Sequence, residues 1–366
     1  MPENKKFRII LIASIIFIVL LALILGLVLG LKKDKDDEMP ADDVEIVNSY
    51  DNTDELIKVY PVINPTYVSD GIEKNIQNRL LTGFENWNRG FDTWKAWGNI
   101  LYTEDSIYNV HGARLSLASY QAAMDASLKK QEILMGDFHN MLITGEFAAI
   151  HYDFMSGDKG ENEENLGKSR VMEFVKFKDY GKELGTRVVE GWGSTKDESG
   201  ESLKYFQKEK ERREQEIQDH FFLKNYNLPN TNNLTEKYFI MYPTEYRDDN
   251  ANSILNKILE GFESWNTGIE SYKNWVDANY ASDAKSSSLD GKDRTLDEYK
   301  SEMETLFSQE SIEKLYFDNI LIRDNWAALH YRYRRKTLPS GEISFGDRMQ
   351  FLKFDNSLKI TGSWIQ

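Results

Sequence analysis

Apolar residues in two parts of the chain follow a helical period. In the first part, six of them recur at steps of four and three: Ile76, Leu80, Phe84, Trp87, Phe91 and Trp94. In the second part, another six repeat this spacing: Ile254, Ile258, Phe262, Trp265, Ile269 and Tyr272. Residues so spaced lie on one face of an α-helix. The pattern therefore predicts one long helix with an aromatic face in each part.

A second helix and several strands are predicted after each stripe. The segment 106–112 favours a strand, and a helix is expected to begin near Ser116 and, in the second part, near Thr295. The stretch from Thr295 to Glu298 reads as a capping box. Four runs rich in β-branched and aromatic residues then follow in the first part, at 137–144, 147–155, 170–178 and 186–194. Helices followed by antiparallel strands predict an α+β fold.

The two parts are copies of one domain. GFENWN at 83–88 returns as GFESWN at 261–266 at a shift of 178 residues, and AAIHY (148–152) matches AALHY (327–331) at a shift of 179. With small gaps, MEFVKF (172–177) then matches MQFLKF (349–354) and Trp192 matches Trp364, and before the motif the lead-in Tyr60-Pro61 matches Tyr242-Pro243. A collinear series of this length indicates an internal duplication.

The segment 9–31 is predicted to be a membrane anchor. It carries no charge and is almost entirely aliphatic residues and glycine. A helix of this length spans about 34 Å, enough to cross a bilayer core. No cleavage signal follows, so we predict an uncleaved, single-pass anchor. Basic residues flank both ends, and the very short tail before a long acidic body favours soluble domains on the extracytoplasmic side.

The resulting organisation has six segments. They are a short tail (1–8), the transmembrane anchor (9–31), an acidic stalk (32–69), a first domain (70–197), a charged helical spacer (198–249) and a second domain (250–366).

Composition excludes several functions. The 366-residue chain has a net charge of −15 and no basic stripe, which argues against nucleic acid as a partner. It has no cysteine, so disulfides, thiolate metal sites and cysteine nucleophiles are absent. The five histidines show no ligand spacing, and we expect neither a metal nor a cofactor.

These residues resemble the SnoaL-like branch of the NTF2-like superfamily. The resemblance rests on the aromatic first helix, the helix after GARLSLASY (112–120), the run AAIHYDF and a late strand ending in tryptophan, and it covers roughly 70–195 and 250–366. It implies two cone-shaped domains, each a curved sheet wrapped around helices to enclose an apolar pocket. Members include polyketide cyclases, dehydratases, isomerases and proteins without demonstrated chemistry, so the fold does not select an activity.

Enzymes of that superfamily use a carboxylate or histidine inside the cone, often with a tyrosine. The resemblance makes His151, Asp153, Tyr152 and His330 the catalytic candidates. Side chains alternate along a strand, however, and the apolar face that carries Tyr152 excludes His151 and Asp153. His330 is on the corresponding outer face, where relatives commonly dimerise. A structural or interface role is therefore favoured for both histidines, and no pair of carboxylates recurs at cone-facing positions.

The predicted ligand pockets are aromatic in both copies. Their candidate residues are Trp87, Trp94, Asn140, Tyr152 and Trp192 in the first, and Trp265, Tyr272, Asn319, Tyr331 and Trp364 in the second. Tryptophans at helical spacing are more often core than ligand contacts. Asn140 and Asn319 lie between apolar neighbours, where each amide must bind either backbone or a ligand.

Two functional hypotheses follow. The favoured one is a membrane-anchored tandem protein that binds a small apolar molecule or a protein partner without catalysis, its domains packed as an internal pseudo-dimer. The alternative is a cofactor-independent cyclase, isomerase or dehydratase that uses Tyr152 with a neighbouring histidine or aspartate. A scaffold role in a surface assembly also remains open. The sequence does not identify the ligand.

Overall fold

A computed structural model describes residues 44–110, 113–194, 228–244, 248–287 and 292–366. The predicted tail 1–8, the anchor 9–31, residues 32–43 of the predicted stalk, and residues 198–227 and 245–247 of the predicted spacer lie outside these ranges, so their assignments stay predictions. Within the described ranges, no helix has the length and apolar character needed to cross a bilayer.

Residues Ile46–Gln366 form one compact unit that contains two seven-stranded mixed sheets. The helices are α1 (Thr53–Val59), α2 (Ile72–Asn88), α3 (Phe91–Leu101), α4 (Leu117–Leu128), α5 (Gly181–Leu184), α6 (Leu234–Lys237), α7 (Asp249–Thr267), α8 (Ile269–Asn279) and α9 (Leu296–Gln309). The strands of the first sheet are β1 (Val62–Asn64), β2 (Tyr102–Val110), β3 (Ala113–Ser116), β4 (Gln131–Thr144), β5 (Phe147–Asp158), β6 (Gly167–Asp179) and β7 (Thr186–Ser194). Those of the second are β8 (Ile240–Tyr242), β9 (Tyr280–Ser287), β10 (Asp293–Arg294), β11 (Glu310–Arg323), β12 (Trp326–Thr337), β13 (Ile343–Phe354) and β14 (Ile360–Ile365).

The two sheets have the same strand order. The first reads β1-β4-β5-β6-β7-β2-β3, and the second, from the β8 edge, reads β8-β11-β12-β13-β14-β9-β10. Each strand therefore has a counterpart seven strands later. The predicted α+β class is confirmed, and the predicted capping box of Thr295 and Glu298 is present at the start of α9.

The prediction of one long helix per copy is wrong. Each stripe is divided between two helices, with breaks at Gly90 and Gly268, whose φ angles are +126° and +128°. Only glycine adopts this left-handed region without strain. The turn brings Trp94 against Trp87, with ring centres 5.0 Å apart. A 3.6-residue periodicity does not reveal a break this short, because the apolar spacing continues through it.

The repeated motif GFENWN fixes the first helix of each half to its sheet. In the first half, the Phe84 ring stacks on Phe138 at 4.1 Å, and the Trp87 indole N–H donates to the Ile133 carbonyl at 3.0 Å. The second half repeats both contacts, with Phe262 on Phe317 at 4.3 Å and Trp265 to the Ile312 carbonyl at 2.8 Å. Stacking and a satisfied indole donor both stabilise a buried aromatic side chain.

The last asparagine of the motif holds the backbone of the following sheet. Asn88 accepts from the Met135 N–H and donates to the Met135 carbonyl, both at 2.9 Å. Asn266 makes the same two hydrogen bonds with Lys314 at 2.8 Å. Both bonds use buried backbone groups that would otherwise lack a partner. Met135 and Lys314 thus occupy equivalent, fixed positions.

Two segments predicted as connections are partly folded. Leu56 and Tyr60, within the predicted stalk, belong to the core of the first half. Strand β8, within the predicted spacer, pairs with β11. The Tyr60 hydroxyl donates to Glu85 at 2.9 Å, and Tyr238 donates to Glu263 at 2.8 Å. Tyr60 therefore corresponds to Tyr238, which corrects the sequence match with Tyr242.

The outer faces of the two sheets pack against each other. Each inner face is covered by the helices of its own half. A separate apolar cluster combines outer-face residues of both halves: Leu142, Phe147, Ala149, Met172, Phe174 and Trp192 with Leu321, Trp326, Ala328, Met349 and Phe351. Both faces of each sheet are thus buried, one by helices and one by the other sheet.

A buried ion pair joins the halves beside this cluster. An Arg323 nitrogen lies 2.6 Å from a Glu73 oxygen, and the side chains are only 10% and 2% exposed. Burial raises the pKa of Glu73, but hydrogen bonds from Ser69 and Gly145 and the charge of Arg323 outweigh it, so the pKa is lowered overall. Glu73 is therefore ionised at neutral pH and depends on its partners.

We expect Gly83→Ala and Gly261→Ala to destabilise the protein. An added Cβ would lie 2.9 Å from the Trp97 ring in the first case and 2.7 Å from the Trp275 ring in the second. Overpacking of a core costs about 1–3 kcal/mol, which exceeds the roughly 1 kcal/mol that alanine gains in a helix. Urea unfolding should show a loss on the order of 1 kcal/mol. Gly167→Ala is the control, since its Cβ meets only a carbonyl oxygen at 3.4 Å. Unchanged stability in both variants would contradict the packing argument.

We expect Arg323→Met to cost about 3–5 kcal/mol at pH 7, because it leaves the Glu73 carboxylate buried and unpaired. Since the folded-state pKa of Glu73 is lowered, its contribution is present above the unfolded value of 4.5 and is lost as pH falls below it. The difference from wild type should therefore shrink at pH 3.5. Arg89→Met removes an exposed pair with Glu85 and should cost at most about 1 kcal/mol. Equal losses in the two variants would rule out the proposed role of the pair.

Candidate functional site

A cavity of about 80 Å³ lies between the helices and the inner sheet face of the first half. Its wall is mainly aromatic and includes Phe84, Trp87, Trp94, Trp97, Tyr120 and Tyr152. A cavity needs only some 10–15 Å³ by this measure to hold one water molecule. There is therefore room for a small organic molecule.

Glu173 places a carboxylate in this wall. It lies on β6 opposite Ile150, between the inward-facing Val171 and Val175. The hydroxyls of Tyr108 and Tyr152 each donate to one of its carboxylate oxygens at 2.6 Å. Among the described residues, no lysine or arginine forms an ion pair with it. Burial raises the pKa of Glu173, and the two hydrogen bonds, which lower it, do not cancel this effect.

Tyr108 reaches Glu173 because the neighbouring strand carries a glycine. Tyr108 and Gly191 are paired in register on β2 and β7, and a Cβ at Gly191 would overlap the Tyr108 ring. The ring stacks on Tyr120 with centres 4.3 Å apart. Burial raises the pKa of Tyr108, Tyr120 and Tyr152 well above the ordinary value. Tyr108 and Tyr152 are thus hydrogen-bond donors at neutral pH.

Arg79 is the other charged residue in the cavity wall. Its guanidinium donates to the Tyr50 hydroxyl and to the Asn48 amide oxygen, and it lies 4.0 Å from the centre of the Tyr50 ring. The Arg79 guanidinium is thus bound by Tyr50 and Asn48 and forms no ion pair with Glu173.

The four catalytic candidates are separated by the sheet. Tyr152 lines the cavity, whereas His151 lies on the outer face, 5.6 Å from the Phe351 ring of the other half. Burial, with smaller effects from His139 and Arg170, lowers the pKa of His151 to about 3, so the ring is neutral at physiological pH. Asp153 is bound by His139 at 2.8 Å and by Lys168 at 2.5 Å.

His330 has an equivalent place in the second half. Its ring lies 5.5 Å from Phe174 of the first half, and its Nε2 lies 2.9 Å from Asp347. His151, Asp153 and His330 are therefore outer-face residues that do not reach the inner face, as strand alternation indicates.

The predicted pocket residues of the first half also divide into two groups. Trp87, Trp94 and Tyr152 line the cavity. Trp192 is paired in register with Phe174, so it shares the outer face, where its ring lies 5.9 Å from His330. Asn140 pairs in register with His151. Neither Asn140 nor Trp192 lines the cavity, which corrects these two assignments.

The second half has the same division. Trp364 lies 6.4 Å from His151, and Asn319 pairs in register with His330, so both belong to the outer face. Trp265, Tyr272 and Tyr331 belong to the inner core, where their rings lie near the ammonium group of Lys314. Burial lowers the pKa of Lys314 to about 7.

Two charged residues that face the interior, Glu173 and Lys314, were not among the predicted site residues. Alternation within MEFVKF places Glu173 on the face of Val175 and Phe177, so the strand pattern contains the signal. The repeat does not point to Glu173, because the second copy has Gln350 at the matching position. Lys314 immediately precedes a bulge in β11, where alternation is disturbed.

We expect Glu173→Gln to change how stability depends on pH. Because the folded-state pKa is raised, the folded protein binds more protons than the unfolded chain above pH 4.5, and stability falls as pH rises through that window. Each unit of raised pKa corresponds to about 1.4 kcal/mol. The free energy of unfolding of the variant, measured with urea, should therefore rise relative to that of the wild type between pH 5 and pH 8. Glu104→Gln, at an exposed position of β2, should show no such gain. If the free energies of unfolding of Glu173→Gln and the wild type differ by the same amount at pH 5 and at pH 8, burial does not raise the pKa of Glu173.

The chain matches no protein-family model and no curated protein. It is similar to a candidate SnoaL-like polyketide cyclase from Jannaschia sp. CCS1, with 11% identity over 33% of this chain and 90% of that chain and a TM-score of 0.31. It is also similar to an NTF2-like protein of unknown function from Burkholderia pseudomallei K96243, with 12% identity over 31% of this chain and 88% of that chain and a TM-score of 0.28. A ketosteroid isomerase-like protein from Erwinia carotovora atroseptica SCRI1043 matches with 10% identity over 32% of this chain and 96% of that chain and a TM-score of 0.27. The chain thus resembles SnoaL-like and NTF2-like structures, as the sequence predicts, over about a third of its length in each comparison.

Proposed function

We propose that the cavity of the first half binds a small molecule, with Glu173 as its polar anchor. The observation that carries this proposal is a buried carboxylate that faces an aromatic cavity and has no cationic partner among the described residues. An unpaired buried charge is costly, and an apolar pocket with a few convergent polar groups and a shifted pKa is typical of a binding site. Tyr108 and Tyr152 orient the carboxylate, and the rings supply apolar contact area.

Acid–base catalysis is the second candidate. Burial raises the pKa of the Glu173 carboxyl, the direction that a general acid requires, and Tyr152 supplies an adjacent donor. The reaction would be of the isomerase or dehydratase kind on a small substrate. Binding without chemistry is the better supported function, because both Glu173 oxygens already accept hydrogen bonds from tyrosine hydroxyls and the cavity is small.

The wider arrangement belongs to the same proposal. A single-pass anchor at 9–31 would hold two domains, at 70–197 and 250–366, on the extracytoplasmic side of a membrane. The apolar contact between the outer sheet faces supports an internal pseudo-dimer of these domains. On this view the histidines serve that contact, and the inner cavity serves the ligand.

A fragment screen on the full-length protein tests the proposal. Thermal shift with small alcohols, amines, acids and hydrocarbons should identify molecules that stabilise the wild type. Because hydrogen bonds to a charged group contribute about 1.5–3 kcal/mol, Glu173→Gln should weaken binding by about 10–100-fold, and Glu104→Gln should not. If the wild type, Glu173→Gln and Glu104→Gln bind a fragment with equal affinity, Glu173 does not contact the fragment and the proposed site is refuted.

The same fragments distinguish the two candidates. Each bound fragment is incubated with the protein and then analysed by NMR for conversion. Unchanged fragments support binding alone. Conversion by the wild type that is lost in Glu173→Gln, with the fragment still bound, would favour the acid–base enzyme instead.

A further inference from the structure

The second half contains an aromatic cage that is occupied by the side-chain amine of Lys314, which is charged below its pKa of about 7. The Lys314 Nζ lies 4.3 Å from the centre of the Phe262 ring, 4.4 Å from Trp265, 5.3 Å from Tyr331 and 5.8 Å from Tyr272. These distances are within the range in which an aromatic face attracts a cation. The lysine is buried, and no carboxylate among the described residues forms an ion pair with it. The four rings are therefore its main electrostatic partners.

The first half retains the four rings at the equivalent repeat positions: Phe84, Trp87, Tyr152 and Trp94. Their mutual geometry is also retained. Phe84 and Tyr152 lie 4.8 Å apart, as do Phe262 and Tyr331, and the Trp87–Trp94 distance of 5.0 Å corresponds to 4.8 Å between Trp265 and Tyr272. All four rings of the first half line its cavity.

The cage of the first half lacks an internal cation. The position of Lys314 is held by Met135, whose backbone is fixed by Asn88 as that of Lys314 is fixed by Asn266. Met135 also lines the cavity. The same four-ring frame thus surrounds a lysine ammonium in one half and borders a cavity in the other.

The first half adds a negative charge beside this frame. Glu173 replaces Gln350, and Tyr108, which orients Glu173, replaces Ser286. In the second half, the Gln350 amide donates to Ser363 at 2.9 Å, so no charge is present at that position. The half whose cage lacks a lysine is therefore the half that carries Glu173, a carboxylate with no ion-pair partner among the described residues.

We infer that the ligand of the first half is a small organic cation, a free amine or quaternary ammonium compound, whose charged group is held by the four rings and by Glu173. This inference rests on the proposed function, namely that the cavity binds a small molecule. Aromatic faces and a carboxylate all present negative potential, which disfavours an anion. A neutral ligand would leave the carboxylate unpaired. Arg79 is the opposing charge in the wall, and its guanidinium is bound by Tyr50 and Asn48.

Four probes of similar size test this ligand class on the full-length protein at pH 7.5 and constant ionic strength. They are n-butylammonium, tetramethylammonium, 1-butanol and butyrate, titrated by calorimetry. We expect at least one cation to bind at least tenfold more tightly than the alcohol, and butyrate to bind most weakly. Glu173→Gln should reduce the cation's affinity at least tenfold.

A substitution that introduces the second half's cage residue into the first half gives a sharper test. Met135→Lys places in the first cage the residue that the second cage accommodates, and it should abolish binding of the cation. Met135→Leu is the matched control for loss of the thioether and should retain binding. Circular dichroism and urea unfolding establish that both variants are folded, and Glu173→Gln provides an independent result if Met135→Lys is not.

The outcomes separate the two proposals. If 1-butanol or butyrate binds as tightly as the cations and Met135→Lys abolishes it, the cavity is a ligand site, but the cationic class is refuted. If no probe binds the wild type, both the cationic class and the proposed small-molecule site are refuted for molecules of this size. If the cations bind and Met135→Lys has no effect, binding occurs outside the cage, and the inference fails.

Discussion

The turn between the first two helices of each half is the constraint on which the inner structure depends. At Gly90 and Gly268 the backbone enters a left-handed region that a side chain would strain. A continuous helix would carry the next rings away along its axis at about 1.5 Å per residue. The turn instead folds Trp94 back onto Trp87, and Tyr272 onto Trp265. The aromatic cage, and the cavity beside it in the first half, follow from this one change of direction.

Burial of both sheet faces leaves the cavity on the inner side of the first half as the candidate site. The outer faces pack on each other, so His151 is neutral and enclosed by rings of the other half. Asn140 and Asn319 are buried in the same region, and their side-chain nitrogens lack a hydrogen-bond partner among the described residues. Such groups cost free energy in an apolar contact. We interpret them as determinants of which faces pair, since they add no stability.

Much of the fold could be predicted from the sequence because it depends on periodic patterns. Apolar spacing predicted the helices and strands, and alternation separated Tyr152 from His151. The break at Gly90 was missed because a glycine in register does not interrupt the stripe. Trp192 was predicted to line the pocket, whereas its strand pairing with Phe174 places it on the outer face. Pairing partners depend on the tertiary fold, which one strand's pattern does not contain.

The site was harder to predict because its charges differ between the copies. The repeat directs attention to residues that both halves share, and those residues form the frame: the ring pairs, the indole hydrogen bonds and the asparagine contacts with Met135 and Lys314. Glu173 and Lys314 are each present once. A duplicated frame with different interior charges indicates that the frame preserves the fold, whereas the differing residues set what each interior accommodates. In the second half a lysine occupies the cage, whereas in the first half the same rings border a cavity, so the two interiors differ in what fills them.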